Sequence, residues 1–152
     1  MSDEGRASES VVVTKTVRLI APFVLTVGLF TAFHGTSSVG GGFQGGVVVA
    51  SVVVTFAFAF GVGQTDAWLR SSRLRWLAVA GVYLVLLVAM GTLAVGGAVL
   101  EVTAVPLEKG AVYAVELVEL GIATTVAATL VVLFFRLAAG SGAADDRQGR
   151  DP

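Results

Sequence analysis

Residues 46–63, GVVVASVVVTFAFAFGVG, admit two opposed readings. Valine favours sheets, so the run can be taken as buried strands. Strands in globular proteins are usually about 3–10 residues long, however, and no strongly polar residue punctuates this one. In lipid a helix satisfies its own backbone hydrogen bonds, whereas an open sheet leaves its edges unpaired. A helix needs about 20 apolar residues to cross a hydrocarbon core roughly 30 Å thick. The stretch therefore predicts a transmembrane helix.

Three further apolar stretches, residues 17–33, 76–95 and 112–135, meet the same length criterion, the first near its lower limit. The composition agrees. Of 152 residues 55% are apolar and only 14% charged, against about 25% charged in soluble domains. The charges gather at residues 1–18, 66–75, 101–119 and 136–151, between the apolar runs. The first run has a long, partly acidic flank and no small-residue cleavage site after it, so it is expected to remain as a span. The fold class expected is an all-α integral membrane protein of the cell membrane with four transmembrane helices. Its divisions are a cytoplasmic N-terminal tail at 1–16, a four-helix membrane domain at 17–137 and a disordered cytoplasmic tail at 138–152.

Sidedness follows from the basic residues. With the N-terminus inside, nine of the ten Lys and Arg residues fall in inner segments, and only Lys109 falls outside. Both termini are thus expected in the cytoplasm. Cysteine is absent and there is a single histidine, which excludes iron–sulfur ligation and a thiol-based redox role. No cofactor is expected. The net charge of −1 offers no basic face for nucleic acid.

Ahead of the valine run lies VGGGFQGG, residues 39–46, with five glycines in seven positions. A phosphate-binding loop needs a preceding strand and usually a lysine, and here a membrane helix precedes and no Lys or Arg is present. A structural role is expected instead. Gly40, Gly41 and Gly42 allow a tight turn, while Gly45 and Gly46 let the next helix start against a neighbour's backbone. Phe43 is an apolar anchor at the membrane surface, and Gln44 a hydrogen-bonding partner for the loop.

The stretch HGTSSVGGGFQGGVVVA resembles the signature of the B subunit of multisubunit Na⁺/H⁺ antiporters of the Mrp/Mnh type. Members typically read Gly-His-x-x-Pro-Gly-Gly-Gly-Phe-x-Gly-Gly between their first two helices. Gly35 matches the first glycine, and Gly40, Gly41, Gly42, Phe43, Gly45 and Gly46 match the core. Thr36 stands where the family often has His, and Val39 where it often has Pro. His34 lies two positions early, so the usual histidine's role does not pass to it. ELGIA, residues 119–123, is similar to a Phe-Asp-Leu-Gly-Val stretch of the family, with Glu119 in place of the Asp. The resemblance, over roughly residues 18–136, implies a non-catalytic subunit of a monovalent cation/proton antiporter complex. It implies other hydrophobic subunits as partners and Na⁺ and H⁺ as the transported ions.

The last apolar stretch carries two carboxylates, Glu116 and Glu119. An ionisable group inside the bilayer is costly and marks an ion or proton route by default. Their spacing of three places them on one helix face. Glu119 lies roughly 7 Å, and Glu116 about 12 Å, outward from the segment's centre at Thr124. Glu116 has two readings, a solvated rim residue or the second member of a pair. Glu119, being deeper, reads as part of a cation pathway, with burial beside a partner subunit's Lys or Arg as the alternative. Two close carboxylates in low dielectric rarely both ionise, which suits exchange of H⁺ for a cation.

The remaining features read as structural. Glu101, Glu108 and Lys109 belong to an outer loop, and Asp66, Arg70, Arg73 and Arg75 to an inner one. Trp68 and Trp76 suit the interfacial belt. Pro22 kinks the first helix or sits in its first turns. Small residues four apart recur at Ala57/Gly61, Ala59/Gly63, Ala94/Ala98, Ala123/Ala127 and Thr124/Ala128, as suits close helix contact in lipid. No catalytic set or metal-ligand spacing is present, so no enzyme is expected. Three alternatives to an antiporter subunit stay open: a related subunit of an energy-converting hydrogenase or complex I-like assembly, a stand-alone small exporter, and a membrane scaffold.

Overall fold

The computed structural model describes the backbone of residues 3–35 and 40–148, and the side chains of 11–35 and 40–140. These residues form five α-helices: α1 (Asp3–Ala32), α2 (Gly42–Phe60), α3 (Val62–Leu69), α4 (Ser71–Ala94) and α5 (Gly110–Gln148). A 3₁₀ turn at Val102–Ala104 interrupts the connection between α4 and α5. No strand occurs among the described residues. Four stretches are long and apolar enough to cross a membrane: Val11–Ala32, Gly42–Phe60, Ser71–Ala94 and Gly110–Gly140.

The boundaries differ from the sequence reading in four places. α2 begins at Gly42, so Gly42, Gly45 and Gly46 lie in the helix while Gly40 and Gly41 precede it. α3 and the first turns of α4 occupy the expected inner loop, placing Asp66 in α3 and Arg73 and Arg75 in α4. α1 extends back to Asp3, into the stretch read as a tail. At the other end α5 continues through Gln148, past the boundary expected at residue 137. Residues 36–39, which include Thr36 and Val39, and residues 1, 2 and 149–152 lie outside the described residues.

Substantial interfaces join α1 to α2, α2 to α5, and α5 to α4. The four spans therefore stand in a row, α1–α2–α5–α4, and do not close into a bundle. The short α3 carries the chain from α2 past α5 to the far edge, where α4 begins. α1 and α2 run antiparallel, as do α4 and α5, whereas α2 and α5 run parallel, Gly42 meeting Glu119 and Gly46 meeting Ala123, so the charged ends of all four spans come to one side. Thr14 of α1 marks that side by donating its hydroxyl hydrogen bond to the carbonyl of Ala59 in α2, at 3.3 Å.

A row exposes two apolar faces. In α2, which has a neighbour on each side, 28% of the apolar stretch is buried within the chain, and in the edge helix α1 only 11%. Lipid or other proteins must cover the rest, since such surface is costly in water. Among the described residues a compact core lies toward the charged end, where Ala50 and Ala57 of α2 meet Leu74 of α4 and Val131 and Phe135 of α5. Pro22 sits inside α1 without ending it, and the Thr26 hydroxyl donates to its carbonyl at 2.8 Å.

Candidate functional site at the glycine turn and Glu119

The seam between α2 and α5 is built on absent side chains. A methyl group on Gly42 would collide with the backbone carbonyl of Glu119. One turn on, a methyl on Gly46 would lie 2.6 Å from the carbonyl oxygen of Ala123. On its other flank α2 meets α1 through Gly45, where a methyl would lie 2.5 Å from the Ala32 Cβ and 2.7 Å from the Gly28 carbonyl oxygen. Glycine in a helix costs about 1 kcal/mol relative to alanine. Here that cost is offset by backbone approach on two sides, and in lipid such packing is the main source of helix association.

The same approach brings Glu119 to the glycine turn. Its carboxylate lies against Gly35, in the space that a side chain there would occupy, and a methyl on Gly41 would be 3.9 Å from its Oε1. The Gly41 amide donates to the Thr31 carbonyl at 3.1 Å, which ties the end of α1 to the start of α2. Glu119 is partly buried, but its Oε2 is fully enclosed and accepts no hydrogen bond among the described residues. A buried polar atom without a partner costs about 1–3 kcal/mol, more when it is charged. Such an atom is normally found where a proton, a cation or a further group completes the site.

Glu116 lies one turn earlier on α5, also partly buried. No hydrogen bond joins the two carboxylates. Gln44 and Phe43 both project from the first turn of α2 and are exposed, Phe43 by 63%. Gln44 makes no side-chain hydrogen bond among the described residues, contrary to the role expected for it in the loop. His34 stacks on Phe30, with ring centroids 3.8 Å apart, and its Nδ1 lies 3.0 Å from the Phe30 carbonyl oxygen.

Two close contacts escaped the reading of the sequence. Gly35 was read there only as a match to a signature, and the structure gives it a physical task beside Glu119. The second is the crossing of α4 and α5 at Gly81 and Gly121, where the Thr125 hydroxyl donates to the carbonyls of Ala78 at 3.2 Å and Gly121 at 2.9 Å. Among the small-residue pairs noted from sequence, Ala123 and Ala128 are buried on α5. Gly61 and Gly63 face open space, and Ala94 and Ala98 are exposed. The pair that forms the seam, Gly42 and Gly46, was legible as small residues four apart.

Below Glu119 an apolar crevice of about 240 Å³ crosses one face of the row, with Leu29, Val49, Val53, Leu77, Leu120 and Val131 in its wall. Its one hydroxyl, that of Thr124, donates to the carbonyl of Leu120 in its own helix at 2.8 Å. The crevice therefore offers no polar route onward from the carboxylate.

A family model described as a domain related to the MnhB subunit of Na⁺/H⁺ antiporter matches residues 12–133. The chain belongs to this family. The match takes in most of α1, all of α2, α3 and α4, and most of α5, so the glycine turn, Gly35 and Glu119 all lie within the MnhB-related region. No curated protein matches the chain. Four apolar helices in an MnhB-related chain make it a multi-pass membrane protein of an antiporter-subunit family. The set of partners that family implies is other subunits.

Proposed function

We propose that the chain is one hydrophobic subunit of a monovalent cation/proton antiporter complex in the cell membrane, and that Glu119 is its ion-exchanging group. The single observation behind this reading is the enclosed Oε2 of Glu119, which accepts no hydrogen bond among the described residues, set against the glycine turn. A carboxyl in that position holds a proton or accepts a dehydrated cation, and the two occupants exclude each other electrostatically. Glu116, on the same face of α5, assists by offering the next acceptor toward the membrane surface. The basic residues favour cytoplasmic termini, which places the glycine turn and Glu119 toward the outside.

The open row of helices supports the role of a subunit over that of a complete transporter. From Glu119 inward this chain presents an apolar crevice, so an ion leaving the carboxylate continues through groups of a neighbouring subunit. The absence of a closed bundle leaves α5 accessible for that contact.

The test is Glu119→Gln in the assembled complex, with exchange followed in everted vesicles by the collapse of a pH gradient on adding Na⁺ or K⁺. The amide matches the carboxyl in size but neither releases a proton nor carries charge. Exchange is expected to fall to background while the companion subunits still co-purify. Exchange at the parental rate would remove Glu119 from the route.

A further inference from the structure

A second feature lies at the opposite end of the row from Glu119. Where α2 gives way to α3, a cavity of about 380 Å³ opens, with Arg18, Gln64, Thr65 and Trp68 around its polar end. Its apolar wall includes Val53, Phe56 and Leu69. The Arg18 guanidinium stands over the Phe60 ring, 5.0 Å from its centroid, and forms no ion pair among the described residues. Stacking holds the guanidinium plane by its face and leaves its edge N–H donors free.

Arg18 is not an isolated charge. Lys15, Arg18, Arg70, Arg73, Arg75 and Arg136 are all exposed at this end of the row, against the single carboxylate of Asp66 among the described side chains. Asp66 is itself engaged by the Ser71 hydroxyl. Trp68, at the rim, is 78% exposed and Trp76 nearby 71%. Tryptophan at such positions marks the level of lipid headgroups.

Length decides the occupant. Val53 lines both this cavity and the apolar crevice described above, so the two meet on one face of the row. From Phe60, at the headgroup level, to Val49, within the crevice, α2 rises about 16 Å. That is close to half of a hydrocarbon core roughly 30 Å thick, the depth of one leaflet. We infer that this groove holds an anionic phospholipid, its phosphate on Arg18 and one acyl chain along Val53 into the crevice. The chemistry is a charge-assisted phosphate contact at the mouth and hydrocarbon burial below. The assignment is independent of any role of Glu119, which lies at the other end of the membrane.

The test is fluorescence of the full chain, in a Trp76→Phe background, in phosphatidylcholine nanodiscs doped with brominated phosphatidylglycerol or brominated phosphatidylcholine. Trp68 is expected to be quenched at about 5-fold lower mole fraction of the glycerol lipid, the preference that one basic side chain near the surface confers. Arg18→Gln is expected to abolish that preference while helical circular dichroism is kept. Arg75→Gln, a charge at the same end that does not line the cavity, is expected to keep it. Inorganic phosphate at millimolar concentration is expected to leave the quenching unchanged, since it brings no acyl chain. Equal quenching by the two lipids, a preference that survives Arg18→Gln, or displacement by inorganic phosphate would each overturn the assignment.

Discussion

Gly42→Ala tests whether the α2–α5 seam rests on backbone approach. The added methyl meets the Glu119 backbone carbonyl, and unlike a side chain that carbonyl cannot rotate away. Ordinary van der Waals contact would require α2 to move off α5 by roughly 1 Å, and a gap of that size forfeits a quarter to a half of each dispersion contact it opens. The loss spreads along the seam, through Gly46 against Ala123 to the cluster around Ala50. Overpacking of this kind costs about 1–3 kcal/mol or more. Against it stands a gain of at most about 1 kcal/mol in helix propensity, so a net loss of about 2 kcal/mol is expected. The control is Gly63→Ala in α3, where a methyl meets nothing within 4 Å and should stabilise by about 0.5–1 kcal/mol. Equilibrium unfolding in mixed micelles with increasing SDS, read by far-ultraviolet circular dichroism, compares the two. A Gly42→Ala chain within about 0.5 kcal/mol of the parent, or one no worse than Gly63→Ala, would refute the reasoning.

Two further outcomes separate function from packing. Gly35→Ala places its methyl on the end of the Glu119 side chain, which can swing aside, so stability should change by less than about 0.5 kcal/mol. Cation/proton exchange in vesicles should nevertheless fall sharply, because the carboxylate leaves the turn; unchanged exchange would mean that its position there is immaterial. Thr92 is 1% exposed, and its hydroxyl accepts from the Leu100 amide at 3.0 Å and donates to the Ala89 carbonyl at 2.9 Å. Thr92→Val keeps the shape but strands the Leu100 amide, at a cost of about 1–3 kcal/mol. Faster hydrogen exchange at residues 95–101, with α2 and α5 unaffected, is the expected signature.

The difference between the sequence reading and the structure has a physical origin in the solvent. Length and the lack of charge sufficed to mark the spans, because a backbone in lipid must satisfy itself as helix. The same counting put Glu119 within the last apolar stretch. What they did not mark is which side of each span meets another, because lipid tails and helix interiors are equally apolar and no hydrophobic stripe distinguishes them. The glycine run illustrates this. Gly42 read with Gly40 and Gly41 as a tight turn, yet it is helical, its Cα pressed against the Glu119 carbonyl of α5, and Gly45 and Gly46 follow it in the helix against α1 and α5. Likewise Arg73 and Arg75 read as loop for their charge, whereas α4 starts at Ser71 and carries them in its first turns.

By itself, then, the sequence determined the number and approximate limits of the apolar spans, the likeness to an antiporter subunit, and the presence of carboxylates within the last of them. Only the tertiary structure decided that the spans stand in an open row and that Glu119 rests against Gly35. It alone brought Arg18 to Phe60 at the far end of a groove one leaflet deep. The reason is that these juxtapositions depend on how each helix is rotated about its axis. That rotation is set by a few close backbone approaches at glycines, and a linear pattern of apolar residues does not encode it.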